Sequence, residues 1–253
     1  MKIKVLYYQA VTLMFLVFLG TVSSCTSTNK LEEARALENL GNSLFMEGKP
    51  REGLSHLLEA EKLDPKNPTL QHEIALIFQN IGQYDSSLHH FKKAIKLKPD
   101  FPDAYNNMGI LYFQKGDYEN ALTSFEKAAS NILYRTPHFA YHNMGLVYFK
   151  MKDYDRAIEY YNKALSLSPN YIAAYFDLGI VYNSLNQYDQ SIAVYKKIIK
   201  IDPNSLDAYY ALAAAYKKVG NNNEAMEALK YIVKTDPRSS IAQEAIKLMD
   251  QVN

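Results

Sequence analysis

The sequence predicts an all-α solenoid of six helix–turn–helix units, 34–67, 68–101, 102–135, 138–171, 172–205 and 206–239, with a capping helix over 240–253. Three observations predict it. Residues 102–135, PDAYNNMGILYFQKGDYENALTSFEKAASNILYR, read as a helix, a tight turn and a second helix, and the pattern recurs with a period of 34. Small residues return at two offsets in each unit. Position 8 holds Gly41, Ala75, Gly109, Gly145, Gly179 and Ala213; position 20 holds Gly53, Ser87, Ala121, Ala157, Ser191 and Ala225. Punctuation returns too. Gly48, Gly82, Gly116, Asn186 and Gly220 stand where the first helix must end, and Pro65, Pro99, Pro169, Pro203 and Pro237 where the second must. No unit of this length buries its apolar face alone, so neighbours stack.

Residues 1–24 read as a secretory signal peptide. Lys2 and Lys4 precede an apolar run from Val11 to Leu19, and the small residues Ser23 and Ser24 follow. The run is too short and wrongly flanked to span a bilayer. Val22-Ser23-Ser24-Cys25 resembles a bacterial lipobox. That resemblance implies a lipoprotein signal, with Cys25 acylated as the mature N-terminus and residues 25–33 forming a lipidated tether. Several acyl chains anchor stably where one does not. Thr26 follows the cysteine where an aspartate would imply retention in the inner membrane, so the resemblance implies the outer membrane.

Within each repeat the two small residues let facing backbones approach, and large side chains fill the space around them. Position 24 supplies Leu57, Phe91, Phe125, Tyr161, Tyr195 and Leu229. Lys152 departs from the glycine pattern at the turn and predicts either strain or a different turn. The register breaks once, at the extra residues Thr136 and Pro137. After Pro237, Ser239 or Ser240 caps the last helix, with Ile241, Ala245, Ile246 and Met249 as its expected apolar stripe. The pattern resembles the tetratricopeptide repeat, which implies a right-handed superhelical solenoid whose first helices line a concave face.

Composition narrows the function. Lys and Arg total 28 against 27 Asp and Glu, with no basic run, which argues against a nucleic-acid partner. Of 21 tyrosines, 14 fall at positions 4, 11, 17 or 24, where helix packing accounts for them. The single cysteine excludes an internal disulfide. No phosphate-binding glycine loop, nucleophile elbow or metalloprotease motif occurs, so the reading is a non-enzymatic protein with no cofactor and no small-molecule substrate. His138 and His142 share metal-ligand spacing, but no third ligand accompanies them, and no metal is expected.

The concave face carries the candidate partner-binding residues. They are Asn39, His72, Leu76, Asn107, Ile110, Phe113, Phe139, His142, Asn143, Leu146, Phe149, Phe176 and Ile180. Leu76, Ile110, Phe113, Phe139, Leu146, Phe149, Phe176 and Ile180 would form one apolar groove, either a partner site or an inner lining that closes the superhelix. Asn39, Asn107 and Asn143 share position 6. They resemble an asparagine ladder that pairs with an extended peptide; equally, they can serve neighbouring helices.

Residues 107–163, with the two-residue expansion and the segment Ala128 to Ser130, Leu133-Tyr134 and Pro137, resemble the type IV pilus biogenesis pilotins, the PilF, PilW and Tgl group. This implies an assembly factor that binds secretin subunits and escorts them to the outer membrane, on its periplasmic face. A general envelope scaffold, serving outer-membrane protein assembly or peptidoglycan enzymes, is the other reading.

Overall fold

The computed structural model describes residues 29–252. Every regular element among them is an α-helix. Helix α1 covers 29–46 and precedes α2 (Pro50–Leu63), α3 (Pro68–Asn80), α4 (Tyr84–Leu97), α5 (Pro102–Gln114), α6 (Tyr118–Ala129) and α7 (Pro137–Lys150). Then come α8 (Tyr154–Leu167), α9 (Ile172–Ser184), α10 (Tyr188–Ile201), α11 (Leu206–Lys218), α12 (Asn222–Thr235) and α13 (Ser240–Met249). The signal segment and Cys25 lie outside the described residues. Residues 29–33, expected in the tether, are instead helical. The stretch NKLEEARALENL holds no breaker and is rich in strong helix formers.

The chain divides into two compact units, one through Leu111 and one from Tyr112. In the first, Leu54, Leu57, Ala60, Leu70, Ile74 and Ile77 form the buried core. The small-residue offsets act as close-approach points. A methyl added at Gly53 would lie 2.5 Å from the Gly41 carbonyl oxygen. In the next repeat Ser87 holds the same position, and its hydroxyl donates to the Ala75 carbonyl at 2.8 Å. A polar chain ties α2, α3 and α4 together: Lys93 and Gln71 both donate to Glu61, and His90 Nδ1 lies 2.8 Å from Gln71 Oε1. Gln71 is fully buried, so these partners replace water it has lost.

Two core clusters in the second unit matter here. Tyr161, Ala157, Ala164, Leu178 and Val181 centre one; Tyr195, Ile198, Leu212, Leu229 and Ile232 centre the other. Helix α13 joins the latter through Ala242 and Ala245. The Ser239 hydroxyl caps it by accepting from Ala242 N–H at 3.3 Å. Ile246, expected on its inner stripe, is exposed, and Ala242 takes the inward place.

The turns resolve the question posed by Lys152. Gly48, Gly82, Gly116 and Gly220 all have φ between 76° and 80°; Asn186 has 58° and Lys152 has 61°. Lys152 N–H reaches Phe149 O at 2.9 Å and Asp153 N–H reaches Tyr148 O at 2.9 Å, the bonds that Gly116 and Asp117 make in their own turn. The turn is unchanged, and Lys152 carries the strain, about 1–2 kcal/mol for a side chain in the left-handed region.

Helix α6 is the shortest second helix in the array, with 12 residues against 14 in α2, α4, α8, α10 and α12. Its end is set by Asn131, whose side chain accepts from Leu133 N–H at 2.8 Å and turns the chain away from helix. Tyr134 is buried and anchors the loop, and Pro137 opens α7 in the position that needs no N–H partner.

Candidate protein-binding face

Helical spacing sets the expected groove residues in one stripe along the first helix of a repeat. Along α7 this stripe is Phe139, His142, Asn143, Leu146 and Phe149, at helical spacings of three and one; along α9 it includes Phe176, Asp177 and Ile180. The residues expected in a single groove fall into both units. Asn39, His72, Leu76, Asn107 and Ile110 belong to the first; Phe113, Phe139, His142, Asn143, Leu146, Phe149, Phe176 and Ile180 belong to the second.

In the second unit Phe139 and Ile180 are exposed at 39% and 44%, and Phe113, Leu146, Phe149 and Phe176 are half-buried. Leu146 and Phe149 rest against the cluster around Tyr161, and Phe176 against the one around Tyr195. Their inner edges pack and their outer edges meet solvent. His142 is different: it is buried and bonded on both ring nitrogens. Nε2 lies 2.6 Å from Asp177 Oδ2, and Nδ1 lies 3.3 Å from the Tyr171 hydroxyl. Phe139 and His138 pack edge-on against the Tyr171 ring. His142 therefore acts on this face through Asp177 and Tyr171, neither of which the sequence reading selected.

Asp177, His142 and Tyr171 form one connected polar chain. Burial, then the Asp177 charge, raises the Tyr171 hydroxyl pKa, the reverse of what activates a nucleophile. Burial likewise raises Tyr161, whose hydroxyl is enclosed without a hydrogen-bond partner, and pushes Tyr195 up to about 12. Among the described residues no group of three His, Cys, Asp or Glu side chains is placed to hold a metal ion. No described helix is long and apolar enough to cross a membrane.

In the first unit Asn107 Nδ2 donates to His72 Nε2 at 2.9 Å. The asparagine thus serves the preceding repeat. His72 packs against Phe101 and Phe91, and that burial lowers its pKa to about 4. Asn39 is exposed, and Leu76 and Ile110 are half-buried. The pairs His72–Asn107 and His142–Asp177 share one logic: position 5 of a repeat meets position 6 of the next, 35 residues on. That spacing was legible in the sequence, and it also finds Glu38 and Glu73.

Glu73 bonds the side chains of Asn42 and Glu38, and its Oε2 is buried without a partner. Burial first, and Glu38 second, raise its pKa to about 7. A raised carboxyl pKa means the folded chain holds a proton that the unfolded chain releases. The stability from this group is full below about pH 4.5 and is lost as pH rises through about 7. Glu73→Gln is expected to raise the urea midpoint at pH 8 and to leave it unchanged at pH 4. An equal gain at both pH values would show that the charge of Glu73 is not responsible.

Comparisons with known proteins agree with this geometry. The tetratricopeptide repeat family matches residues 100–168, 136–204 and 184–249, and a further tetratricopeptide model matches 80–116. PilW, a widely conserved type IV pilus biogenesis factor, superimposes with a TM-score of 0.74 at 23% identity, over 84% of this chain and 98% of its own. PilF of Pseudomonas aeruginosa gives 0.71 at 20% identity, over 85% and 97%. YrrB, a tetratricopeptide protein with an unusual peptide-binding site, gives 0.57 at 22%, over 76% and 97%. At such identities the likeness is one of fold. No curated protein sequence matches the chain. With repeat matches running from residue 80 to 249 and the small-residue seams seen in the structure, the chain belongs to the tetratricopeptide repeat family, whose fold is a protein-interaction module.

Proposed function

We propose that this protein is a non-enzymatic lipoprotein of the outer membrane that binds secretin subunits of the type IV pilus and assists their assembly. The observation that carries the reading is the stripe of Phe139, Leu146, Phe149, Phe176 and Ile180, apolar side chains whose outer edges meet solvent on the first-helix face of the second unit. An apolar secretin segment docks there by burying those edges, and Asp177 and Asn143 flank it with polar groups. Acylated Cys25 supplies the membrane address. The fold shared with PilW and PilF supports the choice of client.

The test compares heat-resistant secretin multimers in outer-membrane fractions of a deletion strain and a Cys25→Ala strain. Multimers lost in the deletion and mislocalised with Cys25→Ala are expected. Normal multimers in both strains would overturn the secretin reading and turn the search to envelope scaffolding of other clients.

A further inference from the structure

The loop between α6 and α7 carries two aliphatic side chains in an unusual setting. Ile132 is 96% exposed and Leu133 68%, the highest exposures of any large hydrophobic residues in the second unit. They are adjacent, and the loop around them is tied down. Buried Tyr134 anchors it, Tyr134 N–H bonds Asn131 O at 3.0 Å, and Asn131 Oδ1 holds Leu133 N–H. Two adjacent apolar residues held in water on a loop that is tied down form a candidate contact surface.

The surroundings identify its chemistry. Helices α7 and α8 run antiparallel through a tight turn, so the start of α7 and the end of α8 lie at one edge. Leu167 stands there, exposed at 52%. Residues 127–152 contain no acidic residue, and exposed Arg135 stands two residues after the aliphatic pair. An apolar tip beside a cation matches a bilayer interface, with hydrocarbon for the aliphatic groups and lipid phosphate for Arg135. A second copy of the chain fits poorly. A stable dimer buries about 800 Å² per partner, far more than a two-residue tip offers.

We infer that the edge headed by Ile132 and Leu133 inserts into the surface of a phospholipid bilayer, a second membrane contact beyond the lipid anchor. The inference rests on the reading that the protein is membrane-anchored. It concerns a different surface from the proposed secretin face.

The chain contains no tryptophan, so one introduced residue reports alone. Leu133→Trp and, as a control at the opposite end of α7, Met151→Trp are made in the full chain. Both are reconstituted in vesicles of phosphatidylethanolamine and phosphatidylglycerol, with and without brominated acyl chains. The expected result is blue-shifted emission at position 133 that loses most of its intensity to brominated lipid, with water-like, unquenched emission at 151. A chain that floats with vesicles while Trp at 133 stays unquenched overturns the insertion and leaves the tip to a protein partner. Equal quenching at both positions overturns it as well. A chain that fails to float overturns the anchor and the insertion together.

Discussion

Leu146→Glu combined with Phe149→Glu is expected to abolish capture of the proposed secretin partner while the far-ultraviolet circular dichroism stays helical. Both side chains are half-buried on one stripe of α7, with their outer edges free. A carboxylate on such an edge reaches water in the free protein, so the fold tolerates it. Once a partner covers the stripe, the charge is desolvated without a counter-ion. Central apolar contacts of this kind are worth about 2 kcal/mol or more each, so two together weaken binding by about a thousandfold. Ile180→Glu, at a residue already 44% exposed, gives the same test with less demand on packing. Undiminished capture by both variants would remove the first-helix face as the binding surface. Loss of capture with loss of helical signal in the double variant, but normal capture by Ile180→Glu, would assign the first effect to unfolding.

Gly145→Ala is the second large effect, and it falls on stability. Alanine gains about 1 kcal/mol over glycine in a helix interior when nothing obstructs it. Here its methyl would lie 2.6 Å from two carbons of the Tyr161 ring. That ring is fully buried and has nowhere to move. Overpacking of this kind costs about 1–3 kcal/mol, so a lowered urea midpoint is expected in spite of the propensity gain. Two other repeats show that alanine is accepted at this offset. Tyr161 and Tyr195 each face a glycine, Gly145 and Gly179; Ala75 and Ala213 stand at the same offset from Phe91 and Leu229, and Gly41 and Gly109 from Leu57 and Phe125. Adding Tyr161→Leu to Gly145→Ala recreates the Ala213–Leu229 combination and is expected to recover part of the loss. A rise in midpoint for Gly145→Ala alone would show that the seam between α7 and α8 has room to spare.

Much of this architecture is legible from spacing. Glycine at a helix end, proline after the next helix and small residues at two offsets are local requirements of backbone conformation and close approach. They read directly from residue types, and the helices lie where that pattern puts them. At Lys152 the spacing left strain or a different turn open, and the structure keeps the turn with Lys152 at φ 61°. The binding face was legible only in part. Its stripes follow from helical spacing, and the structure leaves Phe139 and Ile180 exposed on them.

Which groups lose water, and to whom, was decided by the tertiary structure. His142 reads as a free groove residue until α9 brings Asp177 and the preceding turn brings Tyr171 to its two nitrogens. Asn107 reads equally as a peptide ligand or as a partner for a neighbouring helix until His72 of the previous repeat takes its amide. Burial beside Glu38 raises the Glu73 pKa to about 7. The inward turn of Ala242 in α13 belongs to the same class. The reason is common to all of them. Periodicity specifies the direction in which a side chain leaves its own helix, but hydrogen-bond partners, desolvation and steric fit belong to the neighbouring helix. They exist only once the repeats have stacked.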